Sequence, residues 1–207
     1  MKLLVVAATK AELSKVFEHF SLPNENFIQQ DKFDLLITGV GMTATAFALG
    51  RHLNSSYDLV LNVGIAGSFD KNIPLGSLVN INTDTFAELG AENHDDFIAI
   101  DDLGFGKNTF NASYQLIDLP MAKGITVNKV HGNAESIAKI EQKFNPQTES
   151  MEGAAVFYAC NSLQIPCAQI RSISNYVEPR NRENWQIGLA IKNLNNWLMD
   201  FISKQTK

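Results

Sequence analysis

Glu12, Glu149, Glu152 and the pair Ser174 and Asn175 stand just after apolar runs that read as strands, or around the start of a late helical pattern that opens at Met151. Ala66 and Gly67 follow a third such run and add exposed backbone amides. In an open parallel sheet, ligands bind beyond the carboxyl ends of the strands, so these positions converge on the place where chemistry is expected. Carboxylates there can take a proton from water or accept hydrogen bonds, and an amide can donate to a ligand without supplying a proton. The set contains no Ser-His-Asp combination, no reactive-cysteine setting and no GxxxxGK[ST] loop, which disfavours a nucleophilic hydrolase or a kinase. Each position also has a structural reading. Thr9 with Glu12 is a capping box, Glu152 is an acid in the first turn of a helix, Met151 is core filler and Asn175 is a turn residue.

Gly39-Val40-Gly41-Met42-Thr43-Ala44 matches GxGxxA between a strand and a helix, which calls for a test of dinucleotide binding. The next strand ends in Asn62-Val63-Gly64 and offers no acid to a ribose 2'-hydroxyl, so a tight turn packing helix against sheet explains the motif as well.

The elements that must hold these groups follow from periodicity. Leu3 to Ala8 is a short apolar run suited to a strand buried on both faces. A helix with Leu13, Val16, Phe17 and Phe20 on one face follows, ending before Pro23. Asp34 to Thr38 is a second strand, Thr43 to Leu53 a second helix, and Leu59 to Val63 a third strand. This order predicts an α/β fold with a mostly parallel or mixed central sheet flanked by helices, in one domain spanning 1–207. Ser77 to Thr83 alternates like a strand, and Asp84 to Lys123 reads as loops and short strands around a pocket mouth. Ile125 to Val130 is a strand, Ala134 to Phe144 and Met151 to Leu163 are helices, and Cys167 to Ile173 is an apolar strand. A final amphipathic helix runs from about Glu183 to Ile202, with Trp185, Leu189, Leu194, Trp197, Leu198 and Phe201 for its buried side.

Composition narrows the partners. The 207 residues are 45% hydrophobic and 19% charged, a globular balance with room for a substantial core. A net charge of -5 and the absence of any Lys or Arg run argue against nucleic acid. No apolar stretch near the start is long enough for a membrane span, and no basic n-region marks export, so a cytoplasmic protein is expected. Cys160 and Cys167 form no CxxC and read as reduced thiols. The four histidines, His19, His52, His94 and His131, have no ligand spacing, so no metal is expected.

Five segments, taken in order, resemble the motifs of the nucleoside phosphorylase and methylthioadenosine/adenosylhomocysteine nucleosidase superfamily. They are Met1 to Glu12, Thr38 to Gly41, Asn62 to Gly67, Glu149 to Ala155 and Arg171 to Asn175. The resemblance spans nearly the whole chain. Within the superfamily, Arg171-Ser172-Ile173-Ser174-Asn175 followed by Pro179 to Trp185 is most similar to the futalosine hydrolases of the alternative menaquinone pathway. The resemblance implies cleavage of a purine N-glycosidic bond, with no organic cofactor and a homodimer or higher assembly. It gives Glu12 the water, Glu152 the ribose hydroxyls and Met151 the sugar face, and it sets Val130 and His131 beside the base. Cleavage passes through a ribosyl oxocarbenium ion while negative charge leaves on the base.

Asn175 stands where the adenine-cleaving nucleosidases place an Asp. An amide can only hydrogen-bond the departing purine, which favours a 6-oxopurine such as hypoxanthine, whose anion spreads onto O6. Phosphorylases of the superfamily carry arginines at a phosphate site near the first strand. Here only Lys10 stands there, and Arg51 lies about 12 Å along the second helix, so water is preferred to phosphate. The aryl carboxylate of futalosine calls for a cation, for which Arg180 and Arg182 are candidates and Lys107 a weaker one. The rivals are a methylthioadenosine/adenosylhomocysteine nucleosidase, a purine nucleoside phosphorylase, and a non-catalytic nucleotide-binding protein.

Overall fold

The computed structural model describes residues 1–31, 33–114, 116 and 118–205. Its strands are Leu3–Ala7 (β1), Phe27–Gln29 (β2), Asp34–Ile37 (β3), Leu59–Ser68 (β4), Leu78–Phe86 (β5), Gly90–Asn93 (β6), Asp96–Ala99 (β7), Thr109–Asn111 (β8), Met121–Thr126 (β9), Thr148–Ser150 (β10) and Cys167–Tyr176 (β11). The helices are Ser14–His19 (α1), Met42–His52 (α2), Ala134–Phe144 (α3), Gly153–Leu163 (α4) and Ile187–Gln205 (α5).

β1 is buried along its whole length because both faces of the sheet are covered. Leu3, Val5 and Ala7 pack with Leu13, Leu194 and Leu198 beneath α1 and α5. Leu4 and Val6 point the other way, into a cluster with Leu49, Val156 and Phe157 from α2 and α4. The main sheet runs β10-β9-β5-β11-β4-β1-β3-β2, with β8 on β5. The β1, β3, β4 and β11 ladders are parallel, whereas β5 meets β11 antiparallel, so the sheet is mixed. β10 pairs with both β9 and the end of β4, closing five strands into a ring beside the open half of the sheet.

Several strand boundaries differ from the sequence reading, because ladder partners rather than local apolarity set the limit. β4 continues past Val63 to Ser68 and β11 past Ile173 to Tyr176, since the two pair with each other through Tyr176 and Ser68. β9 ends at Thr126 rather than Val130, because its partner β5 ends there, at Phe86. The chain from Val127 to Asn133 then connects β9 to α3. The stretch from Asp84 to Lys123 forms the end of β5, the β6-β7 hairpin, β8 and the start of β9. Its described residues include Phe86, Glu88, Leu89 and Lys107 of a cavity beside α2 and α4, and none that lines the cavity at the ends of β1, β4, β10 and β11; Gln115 and Ile117 lie outside the described residues. α4 begins at Gly153, two residues after Met151. Trp185 precedes α5, and Leu189 is exposed, so neither serves the buried side of that helix as expected. Among the described residues no helix is long and apolar enough to cross a membrane.

Candidate active site

The ends of β1, β4, β10 and β11 and the start of α4 surround a cavity of about 440 Å³. Glu12, Ala66, Gly67, Ser174 and Asn175 line one part of it. Val130, His131, Glu149, Met151, Glu152 and Arg180 line the rest. Positions from residue 12 to residue 180 are therefore gathered in one chamber. Arg182 is not part of its wall, and Lys107 lines a separate cavity of about 530 Å³ beside α2 and α4. Neither lines the chamber that gathers the other candidates.

Glu12 is buried, and its two oxygens are held separately. Oε2 accepts from the Thr9 N–H at 3.0 Å and the Thr9 hydroxyl at 2.9 Å, and Oε1 accepts from the Ile65 N–H at 3.2 Å. The capping box is thus present, with the Glu12 N–H donating to Thr9 Oγ1 at 3.3 Å, and it aims the carboxylate into the cavity instead of competing with that use. Support for the turn comes from far away in the chain. Asn195 on α5 accepts the N–H groups of Lys15 and Val16, each at 3.1 Å, and donates to the Glu12 carbonyl at 2.7 Å. It caps a short helix that has no side-chain cap of its own. Burial pushes the Glu12 carboxyl above its ordinary range, against the opposing pull of the Arg171 guanidinium, the Ile65 amide and the Thr9 hydroxyl. A raised carboxyl is a stronger base once ionised, which suits proton abstraction from water.

Glu152 sits at the N-cap of α4 but makes no capping bond there. Its Oε1 accepts from the Gly41 N–H at 3.0 Å, and its Oε2 lies 3.9 Å from Arg171 Nη2. The glycine turn read as a weak dinucleotide motif therefore spends its Gly41 amide on a carboxylate of the cavity. Arg171 is fully buried, with Nη2 donating to Asn62 Oδ1 at 2.7 Å. A Cβ on Gly64 would stand 2.1 Å from Arg171 Nη1 and 2.9 Å from Glu12 Oε1, so β4 must carry glycine where these two groups converge. A buried guanidinium without carboxylate partners would cost several kcal/mol, and Glu152, Glu12 and Asp84 are acids that interact with it. Sequence reasoning assigned Arg171 no role. The available signal was a charge in the middle of an otherwise apolar strand, together with Asn62 and Gln169 in similar settings.

On the other side of the cavity, Glu149 is paired with His131. Glu149 Oε1 accepts the His131 N–H at 2.9 Å, and Oε2 bonds to its Nδ1. Glu149 therefore fixes the loop after β9 and the imidazole that it presents. Asn175 is also oriented. Its Oδ1 lies 2.8 Å from the Ser174 hydroxyl, and its Nδ2 donates to the Tyr176 carbonyl at 3.1 Å, leaving the second amide hydrogen for a ligand. Arg180 anchors to the Gly132 carbonyl through its N–H at 3.0 Å, and its guanidinium lies 5.0 Å from the Trp185 ring centre. Arg182 lies against the same ring at 5.6 Å. Trp185, Ile187 and Ile191 supply an apolar wall that the sequence reading did not anticipate, since Trp185 was placed on the buried side of the helix. Lys10 is occupied by Asn24 and Arg51 lies over Phe47, so neither brings a cation to the cavity. Among the described residues no group of three or more His, Cys, Asp or Glu side chains is arranged to hold a metal ion.

A buried carboxylate held by Thr9, a second carboxylate and a fixed amide therefore meet around one chamber at the strand ends of an α/β fold. The chain belongs to the phosphorylase superfamily, whose family model matches residues 29–203. Its similarity within that superfamily runs to the futalosine hydrolases. The enzyme of Streptomyces coelicolor is 32% identical over 213 residues, covering 92% of this chain and 91% of the relative. That of Thermus thermophilus is 25% identical over 174 residues, covering 78% and 77%. The fold is shared with the 5'-methylthioadenosine/S-adenosylhomocysteine nucleosidase of Helicobacter pylori, with a TM-score of 0.83 at 16% identity over 99% of this chain and 98% of that one.

Proposed function

We propose that this protein is a futalosine hydrolase: water displaces hypoxanthine from C1' of futalosine and leaves dehypoxanthine futalosine, within the alternative route to menaquinone. The observation that carries the reading is the pairing, in one cavity, of a Thr9-held Glu12 with an oriented Asn175 amide. Glu12 takes a proton from water as its oxygen bonds to C1'. Glu152 accepts hydrogen bonds from the ribose hydroxyls, and its charge stabilises the oxocarbenium ion. Met151 packs on the sugar face. The electrons of the broken C–N bond pass to the purine, where the free N–H of Asn175 meets the N7 and O6 edge, and the departing anion is protonated by solvent. Val130 and His131, with Glu149 behind, border the base, and Ala66, Gly67 and Ser174 line the wall beside Asn175. Arg180 supplies the cation for the 5' carboxylate.

Hydrolysis rather than phosphorolysis is supported by the engagement of Lys10 and Arg51 elsewhere. The reading includes a homodimer or higher assembly, a cytoplasmic setting and no cofactor. Chromatography of the free base released from futalosine, inosine and methylthioadenosine in phosphate-free buffer tests it. Hypoxanthine from futalosine is the expected result. Adenine from methylthioadenosine alone, or release only when phosphate is added, overturns it in favour of the nucleosidase or the phosphorylase, and no release from any nucleoside leaves a binding protein.

A further inference from the structure

Behind the wall that carries Glu152, four buried side chains close a ring that takes no part in the steps above. Asp84 on β5 is fully buried. Its Oδ2 accepts from Gln169 Nε2 at 2.7 Å, and its Oδ1 accepts from the Thr126 hydroxyl at 2.9 Å. Each arm leads to one side of Glu152. Gln169 Oε1 accepts from Arg171 Nη2 at 3.3 Å, and that nitrogen stands 3.9 Å from Glu152 Oε2. Thr126 Oγ1 accepts the N–H of Ala154 at 2.8 Å, two residues beyond Glu152 at the start of α4. The ring is closed tightly around Gly153, where a Cβ would lie 2.0 Å from Gln169 Oε1 and 2.1 Å from Asp84 Oδ2. Any other residue at the start of α4 would force the ring open.

The chemistry of the ring depends on the carboxylate. A glutamine side chain can face either way, but an ionised Asp84 is acceptor only, so it draws Nε2 to itself and turns Oε1 toward the Arg171 guanidinium. Without that anion, Gln169 is free to present its NH2 group to Arg171, donor against donor.

We propose that Asp84 is a positioning residue for N-glycosidic hydrolysis: through Gln169 it sets Arg171, and through Thr126 it sets the start of α4, so that Glu152 and Glu12 meet the substrate in reactive register. This rests on the reaction assigned above. The groups that face Asp84 are the Thr85 N–H from its own strand, Thr126 and Gly124 from β9, Gly153 from α4, and Gln169 and Arg171 from β11; Arg171 is the charged one among them, with Glu152 and Glu12 beyond it. Burial raises the Asp84 carboxyl to about 6, so the lock weakens as pH falls through that value.

The test compares the full-length wild-type chain with Asp84→Asn, Gln169→Leu and the double variant. kcat and KM for futalosine are measured well below each Tm, and the Gln169 side-chain NH2 resonances are followed by NMR from pH 5 to 8. Each single variant should lose about tenfold or more in kcat with KM changed less than about threefold, and the double should be no worse than the more damaged single. In the wild type, the Gln169 amide protons should exchange slowly and shift with a midpoint near pH 6, as the Asp84 carboxyl titrates. Full kcat in Asp84→Asn, or losses that multiply in the double variant, overturns the proposal: the ring then only supports the fold, or Asp84 does not act through Gln169. Should Asp84→Asn fail to fold, Gln169→Leu decides on the same terms, and wild-type kcat in it overturns the proposal. A wild-type chain that releases no base refutes the reaction assignment, while the NMR titration still reads the ring; rapid exchange with no shift near pH 6 then overturns it.

Discussion

Glu12→Gln separates catalysis from structure at the residue to which we assign the attacking water. Glutamine keeps the length of the side chain and one acceptor oxygen, but it cannot take a proton. The carboxylate now accepts from the Thr9 N–H, the Thr9 hydroxyl and the Ile65 N–H. A carboxamide places its NH2 group against one of these sites, and an unmet buried donor costs about 1 to 3 kcal/mol. Against that, the variant no longer buries a charge. The Glu12 carboxyl is raised above its ordinary 4.5, so its contribution to stability is fully present at low pH and is lost as pH rises through the folded value. The variant should therefore compare worst with the wild type in acid and gain on it toward pH 7, with a Tm near the wild-type value there. Turnover behaves differently. Loss of the base should lower kcat by about a thousandfold or more, roughly 4 kcal/mol of transition-state stabilisation, while binding of a nucleoside measured by calorimetry survives. In the wild type, kcat/KM should fall on the acid side with an inflection above 4.5, since the base must be ionised to work. If base release by the variant stays within about threefold of wild type while Tm falls, Glu12 is only a cap and the water has another base.

Asn175→Ala should lower kcat/KM on a hypoxanthine nucleoside by about 2 to 4 kcal/mol, through a hydrogen bond that strengthens as the base becomes anionic. Asn175→Asp should lower the ratio of 6-oxopurine to 6-aminopurine activity, since an ionised carboxylate meets N7 and O6 acceptor against acceptor; a ratio unchanged across wild type and both variants would leave Asn175 as a turn residue. Gly64→Ala would bring a methyl group 2.1 Å from Arg171 Nη1 inside a packed interior. It should cost about 1 to 3 kcal/mol in chemical denaturation and most of the activity, and a fully active, equally stable variant would contradict the convergence of Arg171 and Glu12 on that point. Arg180→Ala should raise KM about tenfold for futalosine and little for inosine, whereas Arg182→Ala should alter neither; equal effects on the two substrates would remove Arg180 from the 5' end.

What was legible along the chain is what nearest neighbours decide. The run Leu3 to Ala8 had to be a strand buried on both faces, and Ala134 to Phe144 matches the observed α3, because its periodicity and its Asn133 cap are local. The Thr9 and Glu12 spacing was legible for the same reason, and the structure forms its capping bonds while Glu12 lines the cavity. The ordered motifs brought most of the cavity residues into view, although not what each one touches. Tertiary structure decided the rest. β4, β9 and β11 end where their ladder partners end, and a partner tens of residues away leaves no trace in a local pattern. Arg182 looked as suitable as Arg180, because a charge on a loop carries no direction until the loop is placed. Asn195 capping α1, Gly64 making room for Arg171, and the ring from Asp84 to Ala154 all join residues far apart in the chain. A buried polar group must find its partner wherever the fold brings one, so the sequence can flag a polar residue inside an apolar strand, but only the packed molecule decides what it serves.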